Sequence, residues 1–282
     1  MEARVGEKTL DQRFAEVRQR ADEALARSGR AGSPLYLVAV TKYAEPDDIR
    51  HLIEQGHRDF GESRVQQLVQ RASVINEWFE RIKMLPETVS KSDRIEAAKL
   101  AGLASSGKTI DVDQPVRWHM IGHLQRNKAR KVAEFCRLVH SVDSLRLIEE
   151  LQTLAHRRDE VVDVLIQVNI AAEDQKTGCP ISAVAALGEQ IDTMVHVRVR
   201  GLMAMAPQTD DEGVIRSTFS RCREVFDDLK REGIGEGHFN LLSMGMSGDY
   251  EIGIEEGANI VRVGSAIFGE RQLEPEHAAS VD

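Results

Sequence analysis

The sequence predicts an α/β fold, a single (β/α)8 TIM-type barrel that carries an extra N-terminal helix. Two observations support this prediction. Strand-like and helix-like stretches alternate along the chain almost without exception, and eight of these stretches are strand-like. Such alternation is typical of a parallel sheet covered by helices. An open doubly wound sheet is the competing arrangement, and the lack of a G-x-G-x-x-G motif after the first strand weakens its dinucleotide-binding form.

The elements follow from periodicity and from the residues that interrupt it. The N-terminal helix is predicted over 9–28, where apolar side chains recur at helical spacing until glycine and proline end the pattern. The predicted strands are Leu35–Val40, Arg58–Gly61, Trp118–Gly122, Leu138–Val142, Val162–Asn169, Val197–Met205, Phe239–Gly245 and Asn259–Phe268. The predicted helices between them are 46–55, 64–83, 127–136, 144–157, 181–194, 212–232 and 248–257.

One segment interrupts the alternation. Residues 84–116 contain loop-like ends around a stretch, 93–104, that suits a helix. We expect this segment to be a surface insertion in the second helix-to-strand connection. Residues 1–282 are expected to form one domain, with 270–282 as a C-terminal tail too short for a second domain.

Composition excludes several classes of function. The formal net charge of −9 argues against nucleic acid or an anionic membrane as the main partner. No stretch approaches the roughly 18 apolar residues of a membrane span, and the N-terminal residues lack the apolar segment of a secretory signal. The three cysteines, Cys136, Cys179 and Cys222, lie far apart and suit reduced thiols. We therefore predict a cytoplasmic protein.

A metal site is not expected. His119 and His123 are four residues apart, but the run that holds them is predicted to be a strand that leads into a loop. Four residues of extended strand span about 13 Å, which is too far for two side chains to share one ion.

Lys42 is the first candidate for chemistry, since it ends the apolar run Leu37-Val38-Ala39-Val40-Thr41-Lys42. A lysine at the end of a buried parallel strand is expected to be half desolvated, which would lower its pKa and free the amine to attack a carbonyl. The alternative is a solvated lysine just beyond a strand.

An anion site is predicted after strands seven and eight, where barrels of this type commonly bind phosphate. Strand seven finishes in a run that offers the Ser243 hydroxyl and then Ser247, a predicted N-cap, before the next helix. In strand eight, Gly264 and Ser265 offer backbone amides and a hydroxyl. Turn formation alone would also explain such Gly-Ser pairs.

Arg262 lies in the middle of the apolar strand eight, on the face opposite Val261 and Val263. A buried guanidinium must be paired or hydrogen-bonded. Two interpretations stay open, a structural ion pair and a bound ligand that accepts a hydrogen bond. An amine, a phosphate cradle and an arginine are together the set that pyridoxal 5′-phosphate requires.

The sequence resembles the pyridoxal phosphate homeostasis proteins, single-domain barrels similar to the N-terminal domain of alanine racemase. The resemblance extends from about Leu35 to Gly269. Its blocks are Val38–Lys42, Phe60–Glu62, Trp118–Lys128, Gln167–Ile170 followed by Glu173, Lys176 and Gly178, Arg200–Met203 with Ala206-Pro207, Leu242–Ser247 with Asp249, and Val261–Gly269. Relatives often carry asparagine at the position of Ser63, and few have so long an insertion at 84–116.

The resemblance implies a role for seven residues. Lys42 would hold pyridoxal phosphate as a Schiff base, and Arg262 would face its ring nitrogen. Ser243, Gly264 and Ser265 would bind the phosphate, while His119 and Asn169 would line the barrel mouth. An arginine partner keeps the ring nitrogen unprotonated, which makes the ring a poorer electron sink.

Three functions follow as hypotheses. The first is a non-catalytic carrier that binds pyridoxal phosphate in its intracellular homeostasis, acting as a monomer, with apo forms of pyridoxal phosphate enzymes as candidate acceptors. The second is a racemase-like enzyme on the same cofactor, which would need a second acid/base opposite the lysine. The third is a phosphosugar barrel that uses Lys42 as an aldolase nucleophile.

Overall fold

The computed structural model of the protein describes residues 8–85, 99, 102–104, 110–171 and 177–270. Eight parallel strands form a barrel, which closes where the fourth strand pairs with the fifth. In chain order the strands are β1 (Tyr36–Val40), β2 (Asp59–Glu62), β3 (Arg117–Met120), β4 (Cys136–Val142), β5 (Val162–Asn169), the short β6 (Cys179–Pro180), β7 (Val197–Met203), β8 (Leu241–Ser243) and β9 (Ile260–Val263). The predicted (β/α)8 barrel is confirmed, and β6, which pairs only with β5, was not predicted.

Helices surround this barrel in the expected order. Those in the described part of the chain are α1 (Leu10–Arg27), α2 (Pro46–Glu54), α3 (Val65–Lys83), α4 (Ala129–Phe135), α5 (Leu145–His156), α6 (Ile181–Asp192), α7 (Glu212–Arg231), α8 (Tyr250–Glu255) and α9 (Ser265–Phe268). Short 3-10 turns occupy Thr41–Tyr43 and Arg126–Lys128. None of these helices is both long enough and apolar enough to cross a membrane.

The predicted eighth strand, Asn259–Phe268, is too long. The strand ends at Val263, and the amides of Ile267 and Phe268 both donate to the Gly264 carbonyl at 2.9 Å, which makes the last part helical. The apolar run misled the prediction because Ile267 is fully buried, although it lies in a helix outside the barrel. Strand seven is likewise shorter than predicted, three residues instead of seven.

Several predictions lie outside the described residues. They are the helix within 93–104, most of the insertion at 84–116, the tail after residue 270, and Glu173 and Lys176 of the family pattern.

The extra N-terminal helix is confirmed, and local sequence explains where it begins. The Thr9 hydroxyl accepts from the Gln12 amide at 3.3 Å, and the Gln12 side chain accepts from the Thr9 amide at 2.9 Å, which is a capping box. Arg27 near its end pairs with Glu251 and Glu255 of α8. The helix therefore lies against the segments that follow the last two barrel strands.

Side chains of the barrel strands alternate between two layers. Leu37 and Ala39 pack outward against the helices, whereas Val38 packs inside the barrel. The apolar part of the interior is small and consists of Val38, Leu138, Leu165, Met203 and Ile260. Buried polar side chains, among them His119, His140, Ser243 and Arg262, lie on strands of the same barrel. The barrel interior thus holds a polar layer that must be internally hydrogen-bonded.

Stability is expected to fall in mild acid because of His57. Burial lowers the pKa of His57 to about 4, against the opposing effect of Asp59, while the unfolded value is about 6.5. At pH values between the folded pKa and the unfolded pKa, His57 is protonated in the unfolded chain and neutral in the folded chain. The free energy of unfolding therefore falls as pH falls. We expect urea unfolding to show a loss of about 2 kcal/mol between pH 7 and pH 5 from this side chain alone.

The variant His57→Phe provides the control. It keeps an aromatic ring between Phe14 and Phe60, which both contact His57 edge-on, and removes the titrating group. The difference in unfolding free energy between the two pH values should shrink in this variant. An unchanged difference would assign the acid sensitivity to other groups.

Candidate functional site

Lys42 lies in the 3-10 turn that directly follows β1, at the carboxyl end of the barrel. Its side chain is exposed, and its amine lies 4.8 Å from the centre of the Tyr43 ring. This exposure matches the alternative that the sequence left open, a solvated lysine just beyond a strand. The chain leaves the strand geometry at Thr41, whose buried hydroxyl lies 3.3 Å from both the Gly61 carbonyl and the Glu62 carboxylate. These contacts fix the base of the turn and leave the amine accessible.

The loops after β8 and β9 meet as predicted, but through a different residue. Ser247 is not the N-cap of α8, because Asp249 occupies that position. Instead the Ser247 hydroxyl accepts from the Gly264 amide at 3.0 Å and from the Ala266 amide at 3.4 Å. Ser247 therefore lies beside the backbone amides that were predicted to face an anion.

Gly264 connects this loop pair to the strand that leads to Lys42. Strands β1 and β9 pair in parallel, with Val38 opposite Arg262 and Ala39 opposite Val263. A Cβ atom at Gly264 would lie only 3.3 Å from the Val40 Cβ and carbonyl oxygen. The absence of a side chain thus lets the β9 loop approach the strand two residues before the lysine.

Arg262 is fully buried inside the barrel. Its Nη1 donates to the Ser243 hydroxyl at 2.6 Å, and its Nη2 donates to the Ala204 carbonyl at 3.1 Å. Burial lowers its pKa to about 10, against the opposing charge of Asp249, so the guanidinium stays protonated at neutral pH. Within the described part of the chain no carboxylate pairs with it, which argues against the structural ion pair.

Ser243, predicted to hold a phosphate, lies at the end of β8 and is fully buried. Its hydroxyl is shared between Arg262 and the Nδ1 atom of His140, which lies 3.0 Å away. This position places Ser243 beside the guanidinium and among the interior polar groups. The hydroxyl that meets the Gly264 amide belongs to Ser247 instead.

His119 lies deeper than the barrel mouth that was expected for it. Its Nδ1 atom is 2.9 Å from His140 Nε2, and its Nε2 atom is 3.2 Å from an oxygen of Asp59, the first residue of β2. Asp59 in turn receives two hydrogen bonds from Arg117, at 2.7 and 2.5 Å. The His119 side chain therefore points toward the amino ends of the strands.

Sequence reasoning missed His140 and Asp59. A signal existed for His140, because it interrupts the apolar strand Leu138–Val142 as Arg262 interrupts β9. A buried polar residue in such a run requires partners.

Asn169 is the last residue of β5 and is partly buried, so it ends at the same edge of the barrel as Lys42. His123 is exposed and its Nδ1 atom lies 3.7 Å from Asp143, apart from the buried His119. No group of three or more potential metal ligands occurs among the residues that the structure describes.

Taken together, fold and site define a class. The chain is a parallel (β/α)8 barrel with an accessible lysine after its first strand, a close pair of loops after its last two strands and a buried arginine between them. The family model described as alanine racemase, N-terminal domain, matches residues 29–272.

Comparison with curated proteins narrows this class. The chain is 32% identical over 265 residues to the pyridoxal phosphate homeostasis protein of Aquifex aeolicus, covering 93% of this chain and 98% of that one. It is 33% identical over 263 residues to the protein of the same name from Pseudomonas aeruginosa, covering 93% and 96%. The chain belongs to the pyridoxal phosphate homeostasis protein family.

Among solved structures, the chain resembles PipY of Synechococcus elongatus PCC7942 in its form with pyridoxal phosphate bound. The TM-score is 0.69 at 26% identity, and the alignment covers 93% of this chain and all of that one.

Proposed function

We propose that this protein binds pyridoxal 5′-phosphate through a Schiff base on Lys42 and serves as a carrier in its intracellular homeostasis. The observation that carries this proposal is the Arg262 guanidinium, which is buried, charged and bonded only to neutral groups among the described residues. A buried charge of this kind favours a ligand that offers an electron pair. The ring nitrogen of the cofactor is such an acceptor.

The remaining groups match the other ends of the cofactor. The Lys42 amine would bond to the aldehyde carbon with loss of one water. The Gly264 and Ser265 amides, with the Ser265 and Ser247 hydroxyls, would bind the phosphate. Because its hydroxyl already accepts from Arg262, we assign Ser243 to the ring end. When bound, the cofactor supplies a ring that withdraws electrons, and a neutral ring nitrogen limits that capacity.

The carrier hypothesis is favoured over a racemase-like enzyme by the positions of the tyrosines. Tyr36 is the first residue of β1, at the opposite end of the barrel from Lys42, and Tyr250 is buried. Tyr43 lies against the lysine amine itself. Racemisation requires a second acid/base opposite the lysine, and these positions make none of the three tyrosines a good candidate for it. We also propose that the protein acts as a monomer, with apo enzymes that use pyridoxal phosphate as acceptors.

Exchange of the α-proton of an amino acid distinguishes the two functions. We expect the protein loaded with pyridoxal phosphate to incorporate deuterium at Cα of L-alanine no faster than free pyridoxal phosphate does, measured by proton NMR in deuterium oxide. The matched control is an equal concentration of the cofactor without protein. Incorporation far above that control, or the appearance of D-alanine, would establish the enzyme instead.

A further inference from the structure

A single file of hydrogen bonds crosses the barrel interior from Asp59 to Arg262. It links four contacts in sequence: Asp59 to His119 at 3.2 Å, His119 to His140 at 2.9 Å, His140 to Ser243 at 3.0 Å, and Ser243 to Arg262 at 2.6 Å. Each histidine uses both ring nitrogens. All five residues are at most 8% exposed, so protein groups rather than bulk water must satisfy them.

The two ends of this file have fixed roles. Although burial opposes it, hydrogen bonds from Arg117 and His119 hold the pKa of Asp59 well below its usual value, so its carboxylate only accepts. At the other end the Arg262 guanidinium only donates. Burial, together with the charges nearby, lowers the pKa of His140 well below 6.5, which leaves this ring neutral.

With one proton on each imidazole, these ends determine one arrangement of protons. The acceptor Asp59 requires the N–H of a neutral His119 to be on Nε2, which leaves its Nδ1 to accept. His140 must then donate from Nε2 and accept at Nδ1. The Ser243 hydroxyl donates to that Nδ1, and its oxygen accepts from Arg262. Each of the four contacts then joins one donor to one acceptor.

We propose that Asp59, His119 and His140 are positioning residues that fix the direction of the hydrogen bonds at Ser243 and thereby orient the Arg262 guanidinium for an uncharged aromatic nitrogen. The ligand part of this inference rests on the proposed function. With its proton committed to His140, the Ser243 hydroxyl cannot compete with the guanidinium as a donor. Arg262 is then the donor presented to the ligand. The Asp59 carboxylate, which sets this direction, lies at the other end of the barrel.

The wild-type protein provides the first test. Nitrogen-15 NMR of histidine side chains at pH 7 is expected to show both His119 and His140 with protonated Nε2 and bare Nδ1. Loss of signals in His119→Gln and His140→Gln assigns the two rings. A protonated Nδ1 on either ring would overturn the proposed direction. This measurement needs no cofactor, so it is independent of whether pyridoxal phosphate binds.

The variant Asp59→Ala provides the second test. It removes the acceptor at His119 Nε2 and leaves the Arg117 donors beside that atom. The tautomers of both histidines should shift toward protonated Nδ1, and the dissociation constant for pyridoxal phosphate should rise about tenfold, equivalent to about 1.4 kcal/mol.

Asp163→Ala is the matched control. Asp163 is also buried near the start of a strand, β5, and pairs with Arg198 and Arg200, but it contacts no histidine in the described structure. Its removal should leave both tautomers and the dissociation constant unchanged. Equal effects of the two variants, or unchanged tautomers in Asp59→Ala, would refute the positioning role. A wild-type protein that shows the expected tautomers but binds no pyridoxal phosphate would instead refute the proposed function.

Discussion

The wild-type protein is expected to acquire visible absorbance with pyridoxal phosphate, and replacing Lys42 with alanine is expected to abolish it. The amine at this position is exposed at the carboxyl end of β1, near the loop that holds Gly264. Without it no imine can form at this site, whereas the groups proposed to hold the phosphate and the ring nitrogen remain in place. The measurement is the absorbance spectrum after dialysis against buffer that lacks the cofactor.

Two further variants make this result specific. Lys42→Arg keeps the positive charge but cannot form the imine, so it should also stay colourless after dialysis. Lys230→Ala removes an exposed lysine in the last turn of α7 and should bind like the wild type. Colour retained in both Lys42 variants would show that a different amine carries the cofactor.

Gly201→Ala is expected to lower the free energy of unfolding by about 3 kcal/mol or more. Gly201 has φ of +148°, and a Cβ atom there would lie 1.7 Å from the Leu241 carbonyl oxygen. The two residues pair across β7 and β8, and the register of β7 against β5 shifts beside this glycine. The clash is with backbone, so relief requires the strand that carries Ser243 to move. Urea unfolding measures the loss.

Gly56→Ala separates the clash from the backbone strain. Gly56 also has a positive φ, +91°, but open space surrounds the position of its missing Cβ. Its substitution should cost only the strain of the left-handed region, about 1–2 kcal/mol. If Gly201→Ala costs no more than Gly56→Ala, the close approach of β7 and β8 does not limit stability.

The barrel could be predicted from sequence because each buried parallel strand is a nearly continuous apolar run bounded by turns. Strand alternation could place Arg262 on the face opposite Val261 and Val263, and the structure packs those two valines against the helices. The end of β9 could not be placed, because the run Ala266-Ile267-Phe268 is equally compatible with a strand and a buried helical turn.

The candidate site was less predictable than the barrel. Lys42, Arg262 and Gly264 could be selected because each stands at or in a strand whose neighbours fix its position. The hydrogen-bond partners of the site residues could not be predicted, since bonds such as Ser247 to Gly264 or His140 to Ser243 join residues distant in sequence. Periodicity gives the face of a strand and not the identity of the group across the barrel.

Borohydride reduction followed by peptide mapping tests the central claim most directly. The wild-type protein is incubated with pyridoxal phosphate, reduced, digested and analysed by mass spectrometry. We expect one predominant pyridoxyl adduct, on Lys42, and loss of the visible band on reduction. Label spread over surface lysines with none on Lys42 would contradict the account, and a protein that stays colourless with added cofactor would favour the aldolase hypothesis.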